Sequence, residues 1–338
     1  MRILVTGGTG LLGQALHAQL DLNKPRDKRD VNQWIGDWFF VGSQDGDLRN
    51  PEDVQQLFCR IQPTHVIHLA ARVGGLFANQ RDNVGFFRDN MLMTLNIMDA
   101  CKDHQVVKLV SCLSTCVFPD GIGLPLEESK IHQGPPHPSN EGYSYAKRMI
   151  EVLSRLYSKQ YNMTCVCVIP TNLYGEHDNF SLQDGHVIPS LIHKAYVAKE
   201  RSLPFHVAGT GEPLRQFLYA QDAARLIYHI LMKYNDVSQP VILTVPEAME
   251  VSIRDVVNIV AETVGVSDED IVLDNDPTKN GQFKKTASAD LLLNIVPDFN
   301  FTTLGEGLRK TVEWFQSALL GDRTSIRGFV APSKDLNI

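Results

Sequence analysis

A chain of 338 residues with 43% hydrophobic and 21% charged side chains has an ordinary globular composition, and its length suits a dinucleotide-binding domain plus a smaller second domain. The formal charge of −7 leaves no basic footprint and argues against nucleic acid as a partner. Met1 runs almost at once into an apolar strand, without a cationic leader or an apolar stretch of bilayer length, so a cytoplasmic protein with no membrane partner is expected.

The first element is an apolar strand over 2–6, followed by Gly7-Gly8-Thr9-Gly10-Leu11-Leu12-Gly13 and a helical run to 20. Glycines between a strand and a helix let the backbone turn tightly and bring a helix N-terminus to a pyrophosphate, which points to a dinucleotide fold. Residues 21–37 are polar, with Pro25 and mixed charges such as Lys24, Arg26 and Asp30, and read as a solvated loop. A second strand is predicted over 38–41, and its end decides the nucleotide: an acid there holds the ribose 2′-OH of NAD, whereas a basic side chain favours the 2′-phosphate of NADP. Gly42-Ser43-Gln44-Asp45 settles neither. Asp47-Leu48 follows, then a helix opened by Asn50-Pro51 with Glu52 and Asp53 in its first turn.

The third strand spans 65–71 and ends in Leu69-Ala70-Ala71. Its histidines, His65 and His68, are three apart and face opposite sides, which argues against a shared metal site. After Val73-Gly74-Gly75 a long helix is predicted over 83–103, with Phe87, Met91, Leu95 and Met98 as a core stripe. A buried strand over 107–110 then leads into Ser111-Cys112-Leu113-Ser114-Thr115-Cys116-Val117-Phe118-Pro119, so Ser114 and Cys116 leave the C-terminal edge of a parallel sheet, where ligands bind. Tyr143 and Lys147 are four apart at the start of the next helix and share one face. An ammonium beside a phenol favours the phenolate and is expected to draw the Tyr143 pKa down from about 10, a pairing that suits carbonyl reduction.

A strand over 164–169 runs into Pro170-Thr171-Asn172-Leu173-Tyr174-Gly175 and a polar turn, again where nicotinamide and substrate would meet. His186 follows Asp184-Gly185 and precedes a fresh helix carrying His193 and Lys194, the placement of a loop-borne acid. Beyond 201 the βα rhythm is irregular. Segments 207–211 and 215–218, a helix begun by Asp222, a strand over 241–245 and helices over 252–264 and 304–318 suit a small α/β lid, where the Lys284-Lys285 pair could clamp a diphosphate. Residues 321–338 show no periodicity. Six cysteines without a secretory signal read as reduced, Cys165 and Cys167 as small core residues, and no Cys/His pair has zinc spacing, so no metal is expected. Cys116 differs by lying past its strand end. The expected fold is α/β: a Rossmann-type doubly wound parallel sheet, mainly over 1–175, a smaller C-terminal α/β substrate-binding domain over 176–320 with some return segments, and a 321–338 tail.

Residues 6–13, Ser114, and Tyr143 with Lys147 together resemble the extended short-chain dehydrogenase/reductase superfamily, whose members act on nucleotide sugars. Val73-Gly74-Gly75, residues 114–119, 170–175 and 177–180, and His186-Val187-Ile188-Pro189 are similar to the branch that converts GDP-4-keto-6-deoxy-D-mannose to GDP-L-fucose. The resemblance runs from Arg2 to the last helix and implies a cytosolic homodimer that inverts C3 and C5 of a GDP-sugar and then reduces C4 with NADPH. It implies NADP contacts from Gly7, Gly10, Leu11, Leu12, Gly13, Ser43, Gln44, Asp47, Leu48, Leu69, Ala70, Ala71, Tyr143, Lys147, Pro170, Asn172, Leu173 and His186. Ser114, Asn172, Lys194, Arg215 and Lys285 would meet the GDP-sugar. Cys116 and His186 resemble the family's base and acid, Ser114 and Tyr143 would hold the C4 oxygen, and Lys147 would lower the Tyr143 pKa and hold the ribose.

The chemistry needs those residue types. A C4 ketone acidifies the hydrogens on C3 and C5, so a base on one face and an acid on the other invert each centre through an enolate. A thiol, ordinarily titrating near ~8.5, must be poised towards thiolate for this, and a His near ~6.5 can return the proton. The chain departs from relatives at Lys194, where some carry Arg, at Ala208, where Trp is common, and at Gln44, where bacterial relatives have Arg, so NADP is implied by the family while these residues leave it open. Nucleotide-sugar 4-epimerases and 4,6-dehydratases would share the glycine loop and the Tyr143/Lys147 pair but recycle NAD and do not need Cys116 and His186. A non-catalytic dinucleotide sensor would not need the complete Ser114, Tyr143 and Lys147 set.

Overall fold

The computed structural model describes residues 1–22 and 34–331, so most of the solvated loop expected over 21–37 and the end of the tail lie outside the described residues. The chain divides into two compact units: Met1–Thr171, Gln221–Leu243 and Asp290–Phe299 form the first, and Asn172–Ala220, Thr244–Ala289 and Asn300–Ile338 the second. It begins β1 (Arg2–Thr6), α1 (Leu11–Leu22), β2 (Asp37–Val41), α2 (Pro51–Ile61), β3 (His65–His68), α3 (Leu76–Arg81), α4 (Asn83–Asp103), β4 (Lys108–Cys112), α5 (Glu141–Tyr161) and β5 (Thr164–Pro170). Next come β6 (Asn172–Tyr174), α6 (Val187–Arg201), β7 (Phe205–Val207), β8 (Leu214–Arg215), β9 (Phe217–Tyr219), α7 (Ala220–Lys233) and β10 (Val241–Leu243). The last elements are β11 (Val251–Ser252), α8 (Ile253–Val264), β12 (Ile271–Leu273), α9 (Asp290–Ile295) and α10 (Leu304–Leu320).

The first unit is built on a six-stranded sheet of order β10-β5-β4-β3-β1-β2, every pair parallel, which is the Rossmann-type arrangement the sequence led us to expect. Chain order reverses between β1 and β3, and in such sheets ligands bind beyond the strand ends at that point. Because both faces are covered, the inner strands read as continuous apolar runs; Ile3, Leu4 and Val5 in β1 and Leu109 and Val110 in β4 are fully buried. Buried Lys108 is accommodated in β4 because its Nζ donates to Ile230 O at 2.7 Å, Tyr234 O at 2.5 Å and Asn235 Oδ1 at 3.0 Å, closing the C-terminal end of α7. At α2, Asn50 accepts the Glu52 N–H at 3.0 Å and Pro51 takes the first turn, as the sequence predicted.

Helix α4 has the predicted bounds, but its core stripe is offset. Phe86, Asn90, Thr94, Ile97, Met98 and Cys101 are buried, whereas Phe87 is 40% exposed. Asn90 hides in that stripe because its Nδ2 donates to Phe86 O at 2.7 Å and Arg72 O at 3.0 Å, so a satisfied polar residue breaks the apolar pattern that a sequence reading follows.

The second unit has a core of its own, centred on Tyr174, Phe180, Phe205, Val260, Val312 and Phe315. Around it are three two-stranded pairs: β6 with β9 and β7 with β12 parallel, β8 with β11 antiparallel. Part of the tail is ordered against this core. Ile326 is buried, Phe180 N–H donates to Arg327 O at 2.8 Å, and buried His193 contacts Phe180 O at 2.7 Å and Val330 O at 3.1 Å. Among the described residues no helix is long and apolar enough to cross a membrane.

Candidate active site

At the end of β1, Gly7 turns with φ +71° and the Gly10 N–H returns to Gly7 O at 3.0 Å, which starts α1 at Leu11. A Cβ on Gly7 would meet the Ala70 nitrogen at 2.8 Å, so the turn lies directly on the Leu69-Ala70-Ala71 segment that leaves β3. The first amides of α1, at Leu11, Leu12 and Gly13, have no acceptor one turn back, and no acidic residue stands in that turn. A glycine-rich cradle at a positive helix end fits the diphosphate of a dinucleotide.

Beyond β2, Gly42 N–H donates to Asp45 Oδ2 at 2.8 Å, and Asp45 N–H to Gly42 O at 3.1 Å. The Asp45 carboxylate is thereby turned onto its own loop, and Ser43 and Gln44 remain exposed. Arg49 grips Asp47 at 2.7 and 2.9 Å and holds its carboxyl below the usual carboxylate range, while Leu48 O accepts from Asn96 at 2.9 Å.

The chemical cluster forms where β4 ends. Ser114 opens a 3₁₀ turn over Thr115–Val117, with its Oγ 3.5 Å from the Cys116 nitrogen. Tyr143 and Lys147 approach from the first turns of α5. Gly142 makes this possible: its N–H donates to Asn83 Oδ1 at 2.6 Å, and a Cβ there would strike the Asn83 carbonyl at the start of α4. Lys147 Nζ, buried, donates to Cys112 O at 2.7 Å and lies 5.9 Å from the Tyr143 ring centroid. Arg148 holds the segment after Cys116 by donating to Val117 O at 2.6 and 2.9 Å and Gly134 O at 2.8 Å.

The electrostatics of this cluster correct one expectation. Burial pushes the Tyr143 phenol well above its ordinary value, and charge on Cys116 or Cys112 acts the same way. Burial outweighs the pull of the Lys147 ammonium, which is directed at the Cys112 carbonyl; burial also lowers the pKa of Lys147 itself, against the influence of Cys112, Cys116 and Cys167. A phenol that keeps its proton is nonetheless the form that can donate one. His68, buried with Nδ1 2.8 Å from Thr6 Oγ1, is pushed down to about 3 by burial and then by the Lys147 charge, so it is a neutral tie between β1 and β3.

The other expected site residues fall in the second unit, apart from Pro170, buried at the end of β5. Asn172 donates from Nδ2 to Gln216 O at 2.9 Å, and Leu173 follows it in β6. His186 is the N-cap of α6, and its Nδ1 is 3.7 Å from Asp178 Oδ1. The Asp178 carboxylate raises its pKa against partial desolvation and the Arg327 charge, which lower it, and the His186 side chain is itself 72% exposed. Half-buried Lys194 is lowered by burial, with Asp274 opposing. Arg215 donates to Gln282 O at 2.6 Å and Leu214 O at 2.7 Å, tying β8 to the loop that carries half-buried Lys285; its neighbour Lys284 pairs with Glu247 at 3.0 Å and Glu250 at 3.4 Å. The sequence reading gave Asp178 no role; the available signal was an acid in the turn before a helix-opening histidine.

Residues 3–245 match the NAD dependent epimerase/dehydratase family. The chain is 47% identical to a GDP-L-fucose synthase of Dictyostelium discoideum over 93% of its own length and 94% of that protein. It is 43% identical to a probable GDP-L-fucose synthase of Drosophila melanogaster, covering 93% and 97% of the two chains. A gdp-l-fucose synthetase from Naegleria fowleri, solved bound to NADP, superposes with a TM-score of 0.87 at 43% identity, covering 95% of this chain and 94% of that one. The chain thus belongs to the NAD dependent epimerase/dehydratase family and, within it, to the GDP-L-fucose synthases.

Proposed function

We propose that this chain converts GDP-4-keto-6-deoxy-D-mannose to GDP-L-fucose in two stages, inverting C3 and C5 and then reducing C4 with NADPH. The observation that carries the reading is the gathering of Ser114, Cys116, Tyr143 and Lys147 at the C-terminal end of β4, next to a glycine cradle that fits a dinucleotide. Cys116 takes the proton from C3 and, in a second round, from C5, leaving an enolate each time, and His186 returns a proton to the opposite face. Ser114 and Tyr143 donate hydrogen bonds to the C4 oxygen, stabilising the enolate during inversion and the alkoxide during reduction. NADPH, when bound, supplies the hydride that C4 accepts. Tyr143 then gives up its proton, and the nearby Lys147 charge stabilises the tyrosinate until water restores it. In the second unit Lys194, Arg215 and Lys285 supply positive charge for the GDP moiety, and Asn172 a polar contact.

We further read the active form as a cytosolic homodimer. Val84, Phe87 and Leu92 on α4 and Leu156 on α5 are exposed apolar side chains on two helices packed together, a face suited to a second copy. The six cysteines are all free, as a reducing compartment would keep them. Purified protein supplied with the keto-sugar and NADPH should oxidise the cofactor and release GDP-L-fucose. Absence of NADPH oxidation with this substrate, alongside turnover of another nucleotide sugar, would overturn the reading.

A further inference from the structure

His186 stands in an unfavourable place for an acid. It opens α6, where the positive end of the helix disfavours an imidazolium, and its side chain makes no capping bond. The charged groups that act on the ring are Asp178 and Arg327, and Arg327 works against the proton as the helix does. Among the described residues only Asp178 opposes them. Its side chain is 5% exposed; Oδ1 accepts the Asn179 N–H at 2.7 Å and lies 3.7 Å from His186 Nδ1. Oδ2 is buried without a hydrogen-bond partner among the described residues. A carboxylate so hidden from water is stabilised by a cation beside it, and the His186 ring, itself 72% exposed, stands with Nδ1 3.7 Å from Oδ1 of that carboxylate.

The loop fixes Asp178 without help from the ring. Phe180, fully buried, stacks on Phe315 at 4.8 Å and is bonded through its N–H to Arg327 O. Asn179 Oδ1 accepts the Ser181 N–H at 3.1 Å, and Gly185 N–H returns to Ser181 O at 3.0 Å. A Cβ at Gly185 would strike that same carbonyl, so glycine lets the loop close onto the start of α6.

We propose that Asp178 is a positioning residue for His186: its buried carboxylate pairs with Nδ1–H, sets the tautomer and orientation of the ring, and leaves Nε2 to deliver the proton during epimerisation. The inference rests on the reading of His186 as the acid. In each inversion the Nε2–H bond breaks as the enolate's electron pair forms the new C–H bond, and the neutral ring keeps its Nδ1 proton towards Asp178. Cys116, which has taken the departing proton, is reset by losing it to water while the ring gains one from water.

Asp178→Asn keeps the shape and the Asn179 contact but removes the charge, and Asp178→Glu keeps the charge. Two readouts are taken on the full chain: titration of the His186 ring by NMR, assigned through His186→Asn, and exchange of the C3 and C5 hydrogens of the keto-sugar in deuterated water across neutral to alkaline pH. Asp178→Asn should make His186 titrate at lower pH, move the alkaline limb of the exchange profile the same way, and slow exchange at neutral pH by ~10-fold or more, with KM for the GDP-sugar changed by less than about two-fold. Asp178→Glu should recover part of the rate. Slower exchange with an unmoved His186 titration and an unmoved limb would make Asp178 merely structural and overturn the inference. A moved titration with undiminished exchange would instead remove His186 as the acid, and with it the reading on which the inference rests. Should Asp178→Asn not fold, the test passes to Asp178→Glu, in which His186 must still titrate above the ordinary imidazole range; a value at or below that range overturns the inference.

Discussion

Lys147 shares a face of α5 with Tyr143, yet its ammonium is bonded to the Cys112 carbonyl at 2.7 Å and stands 5.9 Å from the Tyr143 ring centroid. The lysine therefore anchors α5 to the end of β4, and the buried tyrosine keeps its proton. On the proposed mechanism the charge of Lys147 matters most after Tyr143 has donated, when a tyrosinate would otherwise be stranded in a poorly solvated place.

Tyr143→Phe removes that donor while preserving the ring that meets Phe86 edge-on at 6.4 Å. NADPH oxidation with the keto-sugar should fall by ~100-fold or more, the order associated with a positioned acid, and the thermal midpoint should barely move. Near-normal turnover in a folded variant would transfer the role to another residue.

The end of β2 directs the Asp45 carboxylate onto its own backbone rather than outward to a ribose hydroxyl. NADPH should accordingly give a higher kcat/KM than NADH, by a smaller margin than in relatives with an Arg where Gln44 stands. Steady-state kinetics with both cofactors decide it, and a clear preference for NADH would contradict the reading.

Cys116→Ser keeps size and hydrogen bonding but replaces a thiol with a hydroxyl far too weakly acidic to act as a comparable base. The variant should bind both ligands, lose hydrogen exchange at C3 and C5, and reduce the ketone slowly without inversion. Wild-type exchange rates would remove Cys116 from the chemistry.

His68 gives a pH signature of the fold itself. Its pKa in the folded chain is about 3 against ~6.5 unfolded, so the unfolded state takes up the proton first as pH falls. Its stabilising effect is complete above ~6.5 and declines as pH drops towards the folded value, by ~2 kcal/mol between pH 7 and pH 5. Urea unfolding at those two pH values should show this loss, and His68→Gln should reduce it. An equal pH dependence in the variant would assign the loss to other groups.

The first unit was largely legible because its strands announce themselves: Arg2–Thr6 and Thr164–Pro170 are apolar runs, and Asn50-Pro51 marks a helix start chemically. What escaped notice depends on tertiary partners. The strands β6, β8, β9 and β11 are two or three residues long and exist through pairing with distant segments, which leaves no periodic trace. α3, six residues long, was missed likewise. Spacing puts Lys147 on the face of Tyr143 but does not reveal the burial that raises the phenol's pKa or the carbonyl that holds the ammonium. Asp178 was visible as a letter, while its burial against His186 requires the folded loop.

The central claim, that one chain both epimerises and reduces, is tested most directly by NMR of the product formed from GDP-4-keto-6-deoxy-D-mannose and NADPH in deuterated water. The account predicts GDP-L-fucose carrying deuterium at C3 and C5, with hydride from the cofactor at C4. A 4-hydroxy product of unchanged configuration at C3 and C5, with no deuterium there, would contradict it.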